Sequence, residues 1–514
     1  MILSQLVFPP EEAAPKRTLY YRGQSGPISK DGILLLAEET VRFDTYFNAF
    51  FYGVYAKYTD VERIRVCLCT TGEIQLRLFA LDSQNCESLL AELNVKGRTI
   101  STSFPEYALK DLPAGGALFL EVTAHSAQAY IHGGWYESSI EEQRVKVSAI
   151  ICTYRREEYV YRNLRSIQKK IWEDPSCPIR ENLDAFVVDN GATIQAGPSP
   201  HVLVLSNKNC GGSGGFARGL LEVCQSGEYT HVLLMDDDIS FEPETLVRTL
   251  QFLKAAKDLK QPLCIGGQML LEDAPTIQFE SGSSYIKGRL CPNGQGLDLS
   301  YREALLHNTR DVPVQYNAWW YCCLPLAEVR EQGLPLPLFI KTDDVEYGLR
   351  LKPEVVLLNG IGVWHKAFSE KYNPYLEYYT KRNEMIVSVI HNSGTGIAHT
   401  LWKLLRTCGR GLLSRNAAII YFEHCACQDF LLGPDFLLQT DGEALHTRLM
   451  EAGKSEDCGT NILTEVLQLI GTLFRLILYY PSVRSAYQAR WKELTTEEFW
   501  LKYLELDREE TAKA

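Results

Sequence analysis

Hydrophobic and polar positions alternate in three different ways along the chain. Up to about residue 146 the apolar residues form short runs, Ile64–Cys69, Ile74–Phe79 and Ala117–Val122, separated by Gly72, Gly97 and Gly115-Gly116. Strand-length runs with turn residues between them predict an all-β sandwich or barrel. Aromatic residues crowd Phe43–Tyr58, and the charged stretch Glu137–Lys146 reads as a linker. From Val147 the pattern becomes strand, loop, helix, with strands expected at Val147–Cys152, Phe186–Val188, Val202–Leu205 and His231–Met235. Helical periodicity follows in Phe216–Gln225 and Glu244–Leu259. Strands alternating with helices imply a mainly parallel α/β sheet, whose ligands gather at the carboxyl ends of its strands.

Beyond about residue 390 the periodicity is helical. Leu401–Leu413 places Lys403, Arg406 and Arg410 at helical spacing beside Leu and Trp. Ile462–Tyr480 is a long apolar stretch broken by Glu465 and Arg475, which suits a buried or interfacial helix better than a membrane span. Three regions are therefore expected: a β-sandwich domain (1–146), an α/β catalytic domain (147–390) and a C-terminal helical region (391–514).

Composition changes this picture only at the margins. A length of 514 residues suits two or three domains. The net charge of -12 argues against a general nucleic-acid binder, which needs a surplus of Lys and Arg. The fifteen cysteines include Cys67 and Cys69, Cys322 and Cys323, and Cys425 and Cys427 inside apolar runs, where thiols pack as small hydrophobes. With no pair of CxxC motifs a structural zinc site is not expected. The start of the chain does not read as a secretory leader, so a reducing cytoplasmic location is expected.

Candidate chemistry concentrates where the predicted strands end. VLLMDDDIS closes an apolar strand with three carboxylates, whose mutual repulsion calls for a cation or water. Alternation along a strand lets Asp236 and Asp238 point one way and Asp237 the other. Two hard oxygen ligands suit Mg²⁺ or Mn²⁺ with substrate phosphates completing the shell. The plainer alternative is an acidic turn capping the following helix. In SNKNCGGSGGFARGL the glycines ahead of a helix either let a ligand approach the backbone or simply make a tight turn. TYRRE offers Arg155 or Arg156 to a diphosphate, or to Glu157 and Glu158 as a surface pair. VVDNG ends a strand with Asp189, an acceptor for a base or ribose, or a turn residue.

A second acidic pair, Asp343-Asp344, stands in LPLPLFIKTDDVEYGLR, where one carboxylate can cap a helix while the other faces a cleft. A carboxylate there is the simplest general base for sugar transfer. His365 can supply a third metal ligand or be structural. Trp319 and Trp320 offer faces to a sugar, with core packing the alternative for at least one, and Glu280 can accept from sugar hydroxyls.

Taken together these segments resemble family 2 glycosyltransferases of the GT-A fold, and more closely the UDP-galactofuranose transferases of bacterial galactan synthesis. The resemblance rests on TYFNAF, TYRRE, VVDNG, NKNCGGSGGF, MDDDI, FESGS, AWWY, GLPLPLFIKTDDVEYGLR, WH and KRNEM, in family order from residue 45 to about 385. It implies that Asp236, Asp238 and His365 hold Mn²⁺ or Mg²⁺ and that Asp344 deprotonates the acceptor. Arg156, Asp189 and Asn209 would engage UDP, with Thr153, Gly212 and Asp237 completing the donor side. Glu280, Trp319, Trp320 and Asp343 would hold the acceptor, and the displacement would invert the anomeric carbon. Two positions depart from the polymerising members, Thr342 where they carry Trp and Thr380 where they carry His, and both bear on acceptor and linkage. The rival donors are dTDP-rhamnose or a UDP-hexopyranose; the rival class is a non-catalytic glycan-binding protein. A glycan or lipid-linked glycan acceptor, peripheral contact with the inner face of the cell membrane through residues 401–415, and a homo-oligomer are also expected.

Overall fold

The computed structural model describes residues 1–9, 14–25, 28–29, 32–195, 197, 199–367, 373–392, 396–454 and 462–506. The N-terminal region is one curled ten-stranded sheet in which every pairing is antiparallel. Its spine is the strand Arg63–Leu81, long enough to pair with Ala129–Glu137 through one half and with Ala117–Ala124 through the other. The hairpin partner Glu87–Ser103 is largely exposed, as an edge ribbon of alternating Thr, Ser and charged residues should be.

The catalytic sheet has nine strands. Labelled in chain order, they are β1 (Val147–Thr153), β2 (Leu183–Asp189), β3 (Val202–Ser206), β4 (His231–Asp236), β5 (Ser240–Phe241), β6 (Leu263–Leu271), β7 (Gln278–Glu280), β8 (Tyr321–Pro325) and β9 (Glu354–His365). They lie in the order β3-β2-β1-β4-β8-β6-β9-β5, with β7 on the edge of β6. The first four run parallel, so Thr153, Asp189 and Asp236 all emerge at one rim. The change of sense at β8, antiparallel to β4, opens the crevice beside that rim.

The aromatic segment Phe43–Tyr58 turns out to join the two sheets. Phe47 packs on Trp364 (5.9 Å) and Tyr55 on Phe252 (5.0 Å), within one core cluster that runs through both regions. The helices near the site are α1 (Glu157–Ile167), α2 (Gly211–Ser226), α3 (Glu244–Ala255) and α4 (Asp343–Leu351). A bundle follows, made chiefly of α5 (Leu376–His391), α6 (Ile397–Leu413), α7 (Ala417–Leu431), α8 (Gly442–Lys454) and α9 (Ile462–Arg490). Helix α5 shares the bundle core, so the bundle begins before residue 390. The last helix, α10 (Glu497–Tyr503), returns to the catalytic core: Trp500 is fully buried there and donates its indole N–H to the Pro335 carbonyl (2.9 Å).

Candidate active site

Strand β4 delivers the acidic triplet. One ligand atom each from Asp236, Asp238 and His365 lie within 4.8 Å of one another. His365 closes β9, and its Nε2 stands 3.1 Å from Asp238 Oδ1. Its Nδ1 lies 2.6 Å from the Lys366 carbonyl. That contact holds a proton on Nδ1 and aims Nε2 at Asp238; burial lowers the imidazole, but the Asp238 contact raises it more, and a cation bound here would take the place of the Nε2 proton. Burial, reinforced by the Asp238 charge, pushes Asp236 up to about 7, with His365 pulling the other way. Two crowded carboxylates and one oriented imidazole are a donor set that fits a divalent cation.

Strand β4 ends at Asp236, so Asp237 and Asp238 lie in the turn beyond it, where strand alternation no longer sets their directions, and Asp237 stands outside the cluster. It accepts from Thr153 Oγ1 (2.7 Å) and from Arg156 Nη1 (3.1 Å), while the same Nη1 reaches Asp238 (2.8 Å). Thr153 and Asp237, expected on the donor side, therefore tie the end of β1 to β4, and Arg156 flanks the metal cluster. Asp189 is 1% exposed and accepts backbone N–H groups from Gly191 (2.9 Å), Thr193 (2.5 Å) and Ile194 (2.6 Å). Its carboxylate organises the loop after β2, as a turn residue does.

The glycine loop has a packing reason. Gly211 has φ of +70°, and a Cβ there would collide with the Phe339 carbonyl; one at Gly215 would collide with Cys152 Sγ. Helix α2 thus lies close on β1 and against the segment ahead of Asp343. Ser213 Oγ donates to Asp343 Oδ2 (2.9 Å), which also stands 3.8 Å from where a Cβ of Gly212 would be. Asn209 is held by Glu443 of α8 (3.3 Å) and accepts from Gly211 N–H (3.2 Å).

The second acidic pair opens α4 after a strained turn. Phe339, Lys341 and Thr342 have φ of 73°, 68° and 68°, a left-handed conformation that costs about 1–3 kcal/mol per non-glycine residue. Asn383 of α5 offsets part of that cost, donating to the carbonyls of Leu338 (3.3 Å), Ile340 (2.9 Å) and Lys341 (2.8 Å). Three such bonds supply only about 1 kcal/mol each, so packing must add to them. Phe339 accordingly stacks on Tyr379 (5.6 Å) and tilts against His446 (4.9 Å). Farther along α4, Arg350 pairs with Glu346 (2.7 Å) and donates to the Gln332 and Leu334 carbonyls (2.9 Å each), fixing the helix. Ser213 and Asn383 were not singled out from the sequence, although the segments NKNCGGSGGF and KRNEM carried them.

Asp344 lies in a recess with Glu280, at the end of β7, and Tyr316. Burial, then the charges of Asp343 and Glu280, push Asp344 up to about 8. Burial also raises Glu280, whose Oε1 has no hydrogen-bond partner among the described residues. An acceptor hydroxyl is the natural donor for such an atom. The tryptophans expected beside it need correcting. Trp319 and Trp320 are 6% and 5% exposed. Trp319 sits edge-on to Phe216 (5.1 Å) and Tyr347 (5.8 Å), whereas Trp320 donates to the Gly267 carbonyl (2.9 Å) across the sheet. Both faces of this sheet are covered, so core packing claims both indoles rather than one, and neither stands open as a sugar platform.

Two acidic clusters at the rim of an α/β sheet are what comparison with known proteins explains. Residues 3–138 match the family described as Galactofuranosyltransferase 2 N-terminal, and residues 144–363 match Glycosyltransferase like family 2. The chain is a family 2 glycosyltransferase. Its fold is GT-A, with an added N-terminal sheet and C-terminal helices. Galactofuranosyltransferase GlfT2 of Mycolicibacterium smegmatis is 27% identical over 477 residues, covering 85% of this chain and 72% of that protein. GlfT2 of Mycobacterium tuberculosis is 27% identical over 487 residues, covering 86% of this chain and 74% of that protein. Among solved structures, a mannosyltransferase from Pyrobaculum calidifontis in complex with GDP-Man and Mn²⁺ is 11% identical. It covers 66% of this chain and 88% of its own, with a TM-score of 0.31.

Proposed function

We propose that this glycosyltransferase moves galactofuranose from UDP-galactofuranose to a hydroxyl of a growing cell-surface glycan, inverting the anomeric carbon. The observation that carries the chemistry is the separation of two carboxylate settings. Asp236, Asp238 and His365 converge on one point, whereas at Asp344 burial and the flanking carboxylates of Asp343 and Glu280 outweigh the opposing Lys341. The choice of sugar is supported by similarity to galactofuranosyltransferases through both the N-terminal sheet and the catalytic domain.

In this reading the metal cluster takes Mn²⁺ in preference to Mg²⁺, since an imidazole ligand suits manganese better than the all-oxygen shell magnesium prefers. When bound, the ion neutralises the diphosphate of the departing UDP. Arg156 adds a guanidinium at the same edge. Glu280 accepts from one acceptor hydroxyl and so orients the sugar. Asp344 takes the proton of the attacking hydroxyl; its oxygen bonds to the anomeric carbon as the bond to the phosphate oxygen breaks, and UDP leaves with that electron pair.

A donor screen tests the choice of sugar. UDP-galactofuranose, UDP-galactopyranose and dTDP-rhamnose are each incubated with enzyme, Mn²⁺ and a synthetic galactofuranoside acceptor. Transfer from UDP-galactofuranose alone is expected; turnover of another donor without it would overturn the assignment.

A further inference from the structure

Two residues of the metal cluster stand at the ends of one short strand pairing. Asp238 lies two positions ahead of β5, and His365 closes β9. Strand β5 lies antiparallel on β9, with Ser240 opposite Trp364 and Phe241 opposite Val363. The spacing of Asp238 and His365 therefore depends on how β5 sits on β9. Two paired residues are too short a ladder to hold that spacing alone. Helix α1 supports the loop from one side: Asn163 Nδ2 donates to the Asp237 carbonyl (2.9 Å) and Arg162 to that of Ile239. The other side is held by the N-terminal region.

The short helix Ala14–Leu19, with Tyr20 directly after it, reaches both halves of the pairing. Tyr20 is fully buried and donates its phenol to Glu242, the residue next to β5. Lys16 stands over the Trp364 ring, its Nζ 3.7 Å from the centroid, one residue before His365. Phe47 links the two contacts, stacking on Tyr20 (4.8 Å) while it packs on Trp364. The Tyr20 carbonyl is itself fixed by Thr45 Oγ1 and Asn48 Nδ2 (2.7 Å each). One packed unit thus grips the strand that ends in His365 and the segment that leaves Asp238.

These contacts differ from the apolar joint that Tyr55 makes with Phe252 between the same two regions. Lys16 and Glu242 are ionisable groups partly drawn out of water: burial lowers the first and raises the second. Holding two regions together does not call for that cost, whereas fixing a geometry does, because a cation over a ring and a phenol on a carboxylate are directional.

We propose that Lys16 and Tyr20 are positioning residues of the metal site, through which the N-terminal region sets the spacing of Asp238 and His365. The inference rests on the assignment of Asp236, Asp238 and His365 to a divalent cation. Without the two contacts β5 loosens on β9, and the ligands spend less time at the separation a cation needs. The N-terminal region then acts on binding of the metal and the diphosphate without touching either.

Calorimetric titration of Mn²⁺ into the full chain with UDP tests this without turnover, so the outcome is independent of the sugar assignment. Lys16→Met keeps the stem and removes the charge, and it should weaken Mn²⁺ binding about tenfold. Lys16→Arg keeps a cation over the ring and should recover most of that loss. Tyr20→Phe, which lacks only the hydroxyl, should also weaken binding. Tyr55→Leu, at the apolar joint, should lower Tm and leave Mn²⁺ affinity at the wild-type value. Wild-type affinity in both Lys16→Met and Tyr20→Phe overturns the inference. So does an equal loss in Tyr55→Leu, which would make any weakening of the joint sufficient. UDP binding by wild type with no Mn²⁺ dependence would overturn the metal assignment, and this inference with it.

Discussion

The two acidic clusters of the site are built on opposite principles. Asp236–Asp238 come from the end of a regular strand, and their neighbours are cationic or hydrogen-bonding: Arg156, Thr153 and the oriented His365. Asp343-Asp344 come after a turn held in left-handed conformations, and at Asp344 burial and the carboxylates of Asp343 and Glu280 outweigh Lys341. The first arrangement concentrates negative charge where a cation can answer it. The second keeps a carboxylate poorly solvated and therefore basic, which is what a proton acceptor near neutral pH needs. In the function proposed above, the two tasks are separated by giving one to a strand end and the other to a strained helix start.

Removing the base should break this contrast most severely. Asp344→Asn should lower kcat by ~10²–10⁴-fold while UDP and metal still bind, as measured by steady-state kinetics beside calorimetry. Wild-type activity should rise as the pH climbs toward about 8, because the base works only when ionised and burial raises it that far. The variant should lose that rise. A next step down is Asp236→Asn, which should weaken Mn²⁺-dependent UDP binding on the order of a hundredfold with the fold retained by circular dichroism.

The strained turn gives a subtler cut. Asn383→Ala removes the amide shared by three carbonyls of the turn and lets Asp344 drift, so kcat should fall about 10–100-fold with donor KM little changed. A merely structural role would lower Tm without that split between kcat and KM. Arg156→Ala should raise donor KM about tenfold, since the guanidinium lies beside the metal cluster rather than the recess.

Glu423 in α7 supplies the smallest effect and a control. It is a carboxylate pushed up to about 8 mainly by burial, yet it lies outside the site. Its folded value exceeds the ordinary 4.5, so its contribution to stability is full below that value and is lost as pH rises through about 8. Glu423→Gln should match wild type in Tm under acidic conditions, exceed it by a few degrees at most above about pH 8, and leave kcat unchanged. A changed kcat would mean that burial alone does not separate working carboxylates from idle ones.

What could be read from the chain followed the reach of local pattern. Apolar runs ending in Thr153, Asp189 and Asp236 marked strands whose ends share a rim, because burial on both faces writes itself into consecutive residues. Alternation did not reach Asp237, which lies in the turn past the strand and is placed by Thr153 and Arg156. The lock on the turn was not legible, because Asn383 lies 42–45 residues from the carbonyls it holds. Nor was the fate of the tryptophans, which depends on helices covering both sides of the sheet, or the role of Phe43–Tyr58 as a joint between sheets. The glycine loop could be read as a ligand contact or a tight turn; Gly211 and Gly215 answer to Phe339 and Cys152, contacts no spacing rule reveals.

The division of labour between the clusters is tested most directly by titrating UDP with Mn²⁺ into wild type, Asp236→Asn and Asp344→Asn, with transfer measured on the same samples. The account predicts that Asp344→Asn binds like wild type while its transfer falls about a hundredfold or more, and that Asp236→Asn binds about a hundredfold more weakly. Loss of binding in Asp344→Asn, or wild-type binding in Asp236→Asn, would contradict it.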